Sequence, residues 1–123
     1  MKGRVYKILK TTEWDAASCS GKIITDLDVK DGFIHLSTAR QLAGTLYQFF
    51  ETYEVVYLLE LDMDKIDRSK ISYEGPIPNN TKRKGFFPHL YSALKTKQVS
   101  NVWKLDRGAF NLPLEVILEA ECN

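Results

Sequence analysis

Within Phe33–Thr38 (FIHLST), the sequence changes from the pattern of a strand to that of a helix start. In an extended chain, alternate side chains point to opposite faces. His35 and Ser37 therefore share one face, while Ile34 and Leu36 share the other. We predict a strand that packs through its apolar face and presents an imidazole and a hydroxyl on the opposite face.

A helix is predicted directly after this strand. Thr38 and Gln41 have the spacing of a capping box. Apolar residues then recur at helical spacing, at Leu42, Leu46, Phe49, Phe50 and Tyr53. Free N–H groups at a helix start favour a phosphate or carboxylate, so Ser37 and Thr38 are candidate ligand-binding residues. Alternatively, Ser37 and Thr38 are ordinary N-cap residues with no role in ligand binding.

Further strands are predicted on both sides of this unit. The run Val55–Leu59 is continuously apolar, as expected of a strand that is covered on both faces. The other predicted strands are Val5–Leu9, Ile71–Glu74, Gly85–Tyr91, Val99–Leu105 and Leu114–Ala120.

The remaining segments are predicted to be short helices and loops. Thr11 or Thr12 can cap a short helix that ends at Gly21, and Thr12 with Asp15 resembles a capping box. Met63–Ile66 suggests one helical turn. The segment Ile23–Val29 is interpreted as a loop or an edge segment. A second loop is predicted at Gly75–Asn80 because it is rich in Pro and Asn.

These elements predict an α+β fold in one domain that spans residues 1–123. Five to seven strands and two main helices are segregated along the chain rather than strictly alternating. A length of 123 residues suits one continuous core.

Composition limits the partners that the chain can have. The 17 basic residues nearly balance the 16 acidic ones, and the net charge is +1. Such a balance does not support nucleic acid or an anionic membrane as an obligatory partner. Cys19 and Cys122 lack the spacing of a zinc site or a disulfide framework. We expect a cytoplasmic protein, because no signal peptide or membrane span is evident.

Both histidines lie in apolar, strand-like segments that also carry hydroxyl groups. The second segment is Phe87–Tyr91 (FPHLY), in which His89 shares a face with Tyr91. A single histidine in such a strand is often a satisfied core residue. Because both histidines have this setting, we predict that His35 and His89 converge on one pocket and act there as acid and base.

One charged segment completes the set of candidate residues. The basic tetrad Thr81–Lys84 is either a solvated loop or the mouth of a phosphate-binding cleft. No metal site is expected, because the chain has two histidines and no suitable group of cysteines.

The two histidine motifs resemble those of the DUF952 family of small uncharacterised proteins. The resemblance includes Asp31–Thr38 (DGFIHLST), Phe87–Tyr91 and Trp14, and it extends from about Val5 to Asp106. The family implies no activity.

The order of segments is also similar to the catalytic lobe of the RNA 2′-phosphotransferases, which belong to the ADP-ribosyltransferase superfamily. This resemblance implies a twisted, split β-sheet with NAD bound across it. It places His35, Ser37 and Thr38 near the ribose and phosphates, and His89 and Tyr91 at the nicotinamide end. Those enzymes carry a His-Gly-Thr-like motif on the first strand, where this chain has Tyr6–Ile8 (YKI).

Three functional hypotheses follow. The chain is an enzyme that acts at the nicotinamide ribose of NAD or an ADP-ribosyl compound, with His89 as the acid or base. Alternatively, it is a non-catalytic module that binds a nucleotide, a modified residue or a protein. A third hypothesis is a hydrolase of phosphoesters that uses the two histidines without a metal.

Overall fold

Seven strands and four α-helices make up the part of the chain that the computed structural model describes, residues 4–50, 52–75, 86–106 and 113–122. The strands are β1 (Val5–Lys10), β2 (Ile34–His35), β3 (Ser37–Thr38), β4 (Val55–Leu61), β5 (Ile71–Glu74), β6 (Phe87–Leu90) and β7 (Val99–Asp106). The helices are α1 (Thr11–Ser20), α2 (Asp26–Asp31), α3 (Leu42–Phe50) and α4 (Leu114–Cys122). Short 3-10 turns occupy Ala39–Gln41, Met63–Lys65, Arg68–Lys70 and Thr96–Gln98.

The strands form two antiparallel sheets that share one stretch of chain. The four-stranded sheet has the order β3-β1-β4-β7, and the three-stranded sheet has the order β2-β6-β5. The chain leaves the smaller sheet after His35 and enters the larger one at Ser37, with Leu36 between them. Residues 33–38 therefore join the two sheets.

A gap opens where these sheets diverge. Strand β3 pairs with β1 through Val5↔Thr38 and Tyr6↔Ser37. Beyond Tyr6, no described strand pairs with that edge of β1. Because β2 pairs with β6 instead, no described strand covers the edge of β1 from Lys7 onward. This gap positions the candidate site.

The core lies on both faces of the four-stranded sheet. One cluster packs towards α1 and the three-stranded sheet, and its buried members include Val5, Leu9, Ala17, Ile34, Leu36, Leu59, Leu61 and Leu90. The other cluster packs against α3 and α4, and its buried members include Tyr6, Ile8, Leu42, Leu46, Val56, Leu58 and Val116. Burial on both faces explains why β1 and β4 are almost continuously apolar.

The mixed α+β architecture and most of the predicted strands are confirmed. Val5–Lys10, Val55–Leu61, Ile71–Glu74 and Val99–Asp106 are strands, and Gly21 ends α1 with a φ of 81°. The backbone N–H of Thr38 donates to Oε1 of Gln41 at 3.0 Å, as the predicted capping box requires.

The prediction of a strand at Leu114–Ala120 was wrong, because this segment is helix α4. Val116 is fully buried and Ala120 packs against the same cluster, so positions four apart face the core. Pro113 lies just before the helix, and its carbonyl accepts from the N–H of Val116 and of Ile117. An apolar run of this length fits either a strand or a helix, and its Leu, Glu and Ala residues favour the helix.

The N-terminal helices also differ from the expectation. The segment predicted as a loop or edge contains α2, capped at Thr25, whose hydroxyl accepts from the N–H of Asp28. Helix α1 begins at Thr11, and Glu13 accepts from the N–H of Lys10, so the box predicted at Thr12 and Asp15 is not the one used. With α2 and α4 added, the described residues hold four α-helices rather than two.

Some predicted features lie outside the described residues. These are the basic tetrad Thr81–Lys84, most of the loop predicted at Gly75–Asn80, and the first residue of the strand predicted at Gly85–Tyr91. Within the described ranges, no helix is both long and apolar enough to cross a membrane.

Candidate functional site

The two histidines are direct neighbours across the three-stranded sheet. His35 of β2 pairs with His89 of β6, and His89 pairs with Ser72 of β5. The two imidazole centroids are 5.8 Å apart. The two rings therefore lie side by side, while their convergence on one pocket and their roles in acid–base chemistry stay predictions.

Both ring nitrogens of His35 contact carboxylates. Nδ1 lies 2.7 Å from Oδ1 of Asp28, and Nε2 lies 2.9 Å from Oδ2 of Asp31. The same Asp28 oxygen also accepts from the backbone N–H of His35 at 3.0 Å. Helix α2 supplies both carboxylates, and Gly32 ends that helix in the left-handed conformation, with a φ of 85°. The turn at Gly32 therefore carries the chain from the carboxylates to the imidazole that they hold.

Asp28 is a buried charge that joins α2 to β1. Its side chain is fully shielded from solvent, and it accepts from Nζ of Lys7 at 3.0 Å and 2.9 Å through its two oxygens. Burial acts to raise the pKa of Asp28, but the hydrogen bonds from His35 and the charge of Lys7 outweigh it and hold the pKa below its usual value. Burial lowers the pKa of Lys7, against the opposing charge of Asp28. The Lys7 ammonium also donates to the carbonyl of His35 at 3.0 Å.

His89 has a different environment. Its Nδ1 lies 2.5 Å from Oε1 of Glu74, and that oxygen also accepts from the Tyr91 hydroxyl at 2.7 Å. The Tyr91 and His89 hydrogen bonds lower the pKa of Glu74, and the carboxylate in turn raises the pKa of Tyr91. No described residue hydrogen-bonds to Nε2 of His89. The Phe33 ring stacks on His89 with centroids 4.0 Å apart.

A pocket of about 370 Å³ occupies the gap beside β1. Its walls are α2, the start of α1, the strand edge and α3, and we call it the α2–α3 pocket. The lining residues are Tyr6, Lys7, Ile8, Lys10, Glu13, Thr25, Asp26, Leu27, Asp28, His35, Leu36, Ser37, Thr45, Phe49, Phe50 and Tyr53. The lining therefore combines aromatic side chains with charged and hydroxyl groups.

The pocket divides the predicted site residues into two groups. His35 and Ser37 line it, and the Ser37 hydroxyl lies 3.4 Å from that of Thr45. Thr38, His89 and Tyr91 do not line it. The N–H of Thr38 is already bonded to Gln41, so this amide is not available to a phosphate. Two of the five predicted residues therefore line the α2–α3 pocket, and a site shared by His35 and His89 stays a prediction.

Sequence reasoning missed the carboxylates that hold the two imidazoles and the lysine between them. Thr25 and Asp28 have capping-box spacing, and Asp31 lies four residues before His35, so two of these relations are visible in the sequence. Lys7 is the one charged residue inside the apolar run Val5–Leu9. Glu74 has no such signal, because its contact with His89 depends on the pairing of β5 with β6.

Metal binding was not expected, and that expectation stays a prediction. Within residues 4–50, 52–75, 86–106 and 113–122, no group of three or more His, Cys, Asp or Glu side chains is arranged to hold an ion.

Comparison with known proteins assigns the chain to a family. Residues 8–102 match the family described as "Protein of unknown function (DUF952)", so the chain belongs to the DUF952 family. It is similar to the crystal structure of protein CC0527 from Caulobacter crescentus, with 30% identity, a TM-score of 0.75, and 95% of this chain and 98% of that chain covered. The solution NMR structure of CC0527 matches with 32% identity, a TM-score of 0.70 and 84% of each chain covered. No curated protein matches the chain.

Proposed function

We propose that this DUF952 protein binds the nicotinamide and ribose end of NAD, or of a related ADP-ribosyl compound, in the α2–α3 pocket. The observation that carries the proposal is the pocket itself, whose lining combines His35 and Ser37 with aromatic side chains of α3 and the segment after it. Its volume of about 370 Å³ is at the lower end of the range for small-molecule sites. It suits half of a dinucleotide better than the whole.

The lining groups match a flat ring joined to a sugar. Phe49, Phe50 and Tyr53 offer aromatic surface for stacking. Ser37 and Thr45 offer hydroxyls that both donate and accept, which suits the hydroxyl groups of a ribose.

Charge places the phosphates of such a ligand outside the pocket. Of the lining cations, Lys7 is held by Asp28, and Nζ of Lys10 lies 3.8 Å from the carboxylate of Glu13. Each lysine therefore has a carboxylate partner, and a diphosphate inside the pocket would compete with those carboxylates. We place the diphosphate at the mouth, in solvent.

The resemblance to the RNA 2′-phosphotransferases of the ADP-ribosyltransferase superfamily supports this choice of ligand. In those enzymes NAD lies across a split sheet, and here the pocket lies where β1 and β2 diverge. Lys7 lines the pocket from the strand that carries the His-Gly-Thr-like motif in those enzymes. We place the protein in the cytoplasm, in keeping with the free thiol of Cys19.

One observation favours the second candidate, a module that binds without turnover. Both ring nitrogens of His35 are engaged by carboxylates, and His89 does not line the pocket. An acid or base must come within hydrogen-bond reach of the proton that it transfers. In the enzyme version of the proposal, His89 would have to reach the ligand past Phe33, which stacks on its ring.

Calorimetric titration with NAD, ADP-ribose and nicotinamide riboside tests the proposal. Phe49→Ala removes a ring from the pocket wall, and Tyr47→Ala, on the same helix but outside the lining, is its matched control. We expect binding by the wild type and by Tyr47→Ala, and at least tenfold weaker binding by Phe49→Ala. No heat at millimolar ligand, or equal loss in both variants, would refute the proposal.

Turnover separates the two versions. The ligand-bound protein is incubated alone, with 2′-phosphorylated RNA and with a protein acceptor, and free nicotinamide is measured. Release that Tyr47→Ala retains and His89→Ala loses favours the enzyme. Binding without release favours the module.

A further inference from the structure

Helix α2 forms one wall of the α2–α3 pocket with little apolar contact to the rest of the molecule. Leu27 and Val29 are 49% and 66% exposed, whereas Asp28 is 2% exposed. The residue that this helix buries is therefore a charge rather than a hydrophobic side chain. Polar contacts hold this wall in place.

Those polar contacts form what we call the latch, the contact of His35 with Asp28 on one side and Asp31 on the other. The imidazole lies between the two carboxylates, at 2.7 Å from Asp28 and 2.9 Å from Asp31. Lys7 and the backbone N–H of His35 hold Asp28 independently of the ring. Among the described residues, the Asp31 carboxylate has no second hydrogen bond or ion pair beside the one to His35.

The number of protons on the ring decides whether both halves of the latch can form. An ionised carboxylate accepts hydrogen bonds and cannot donate them. Both contacts are therefore hydrogen bonds only when both ring nitrogens carry a proton. A neutral imidazole would leave one nitrogen lone pair facing a carboxylate oxygen at under 3 Å.

The two ends of the latch are unequal, which decides which contact is lost. Asp28 is fully shielded and cannot turn away without breaking its contacts to Lys7. The Asp31 side chain is 16% exposed and lies in the last turn before Gly32, so it can turn towards water. When the His35 ring loses one proton, the other therefore stays on Nδ1, and the contact between Nε2 and Asp31 is lost.

We propose that the latch holds α2 against the pocket in a proton-dependent way: it is closed while His35 is doubly protonated and opens at its Asp31 end when His35 is neutral. The latch regulates the site described under the proposed function and rests on that function only for the identity of the ligand. A ligand that touches α2 binds more tightly to the closed state, so its binding is linked to proton uptake.

Four titratable groups face His35 and share its electrostatic environment. They are Lys7 from β1, Asp28 and Asp31 from α2, and His89 from β6. Of these, His89 is the second imidazole, so its contribution must be separated from that of His35 in any pH experiment. The His89→Gln variant makes that separation.

Amide hydrogen exchange tests the latch without any ligand. The reporter amides are Gly32 and Val29, which donate to the carbonyls of Asp28 and Thr25 within α2. In the wild type and in His89→Gln, we expect protection at Gly32 to fall about tenfold or more between about pH 5.5 and 8.5, after correction for intrinsic exchange. Amides of α3 serve as the internal reference and should not change.

Asp31→Asn is the matched variant that isolates the proton. An amide side chain can accept from a protonated nitrogen or donate to a bare one, so it satisfies Nε2 in either state of the ring. We expect the pH dependence of protection at Gly32 to vanish in this variant. Equal pH dependence in Asp31→Asn and the wild type, or none in the wild type, would overturn the latch.

Ligand affinity then tests the coupling to the pocket. We expect the dissociation constant of NAD to rise about fivefold or more from about pH 6 to pH 8.5 in the wild type, and to stay constant in Asp31→Asn. An NAD affinity that ignores pH while α2 opens would overturn the coupling. If α2 opens with pH and no ligand binds, the latch stands and the proposed function fails.

Discussion

His35 and His89 face each other across two paired strands, yet their hydrogen-bond partners and their positions relative to the pocket differ. Carboxylates of α2 hold both nitrogens of His35, which lines the pocket, whereas Glu74 holds one nitrogen of His89, which does not line it. Similar sequence settings therefore produced two distinct imidazoles. The difference arises from the carboxylates around each ring and not from the strands that carry them.

The contacts of its two ring nitrogens give His35 a supporting role. Its ring lies between two carboxylates, and it positions α2 rather than presenting a free nitrogen to a ligand. His89 resembles an imidazole whose orientation is set by a carboxylate, with Nε2 left without a partner among the described residues. The same geometry in catalytic sites prepares a nitrogen for proton transfer.

Removing the charge that holds His35 should have the largest effect on stability. Asp28→Asn leaves Lys7 buried beside a neutral group, and breaking a buried ion pair from one side costs about 3–5 kcal/mol. We expect a loss of this size in the free energy of unfolding, measured with urea. Asp26→Asn, an exposed neighbour on α2, should change stability by no more than about 0.5 kcal/mol. A similar, small effect of both substitutions would remove the distinction between the two histidine environments.

Acid should reduce the difference in unfolding free energy between the wild type and Asp28→Asn. The pKa of Asp28 is depressed in the folded protein, so its stabilising contribution is present above the pKa of the unfolded chain, roughly 3.9, and is lost as the pH falls below that value. We expect the difference in unfolding free energy to shrink from pH 6 towards pH 3. A difference that grows in acid would contradict the assigned direction.

Replacing a glycine by alanine should have opposite effects on stability in the two helical segments that line the pocket. Gly32 has a φ of 85° at the end of α2, where a side chain costs about 1–2 kcal/mol. Gly44 lies inside α3, where an added methyl group would meet only open space, so alanine there should stabilise by about 0.5–1 kcal/mol. Thermal unfolding of Gly32→Ala and Gly44→Ala measures both signs. Shifts of the same sign would show that α2 is not anchored as described.

The smallest effect is expected from Glu74→Ala. The side chain of Glu74 is 40% exposed, so we expect a smaller loss of stability than for Asp28→Asn. Without this acceptor, no described group keeps the His89 proton on Nδ1, and both tautomers should appear. Nitrogen NMR of labelled histidines measures this change. Equal shifts at His35 and His89 would mean that the two rings are not independent.

Local patterns in the sequence predicted the parts of the fold that local interactions determine. The change of period at Phe33–Thr38, the glycine that ends α1 and the apolar run of β4 all appear where expected. Helix α4 was missed because an apolar run of its length fits a strand or a helix, and the packing of Val116 and Ala120 involves other segments of the chain.

For the site, sequence reasoning found the two rings but not the groups that distinguish them. Equivalent strand positions gave a sound reason for the rings to meet, since paired strands place such residues side by side. The pocket lies instead in the gap between β1 and β2. That gap depends on where β3 stops pairing, and the register of one strand against another is a property of the whole fold.

Amide NMR during titration with NAD distinguishes binding in the α2–α3 pocket from binding beside His89 in one experiment. We expect the largest shifts at Leu27, Thr45 and Phe49, in the α2–α3 pocket. The largest shifts at Ser72, His89 and Tyr91, or no shifts at millimolar NAD, would refute binding in that pocket.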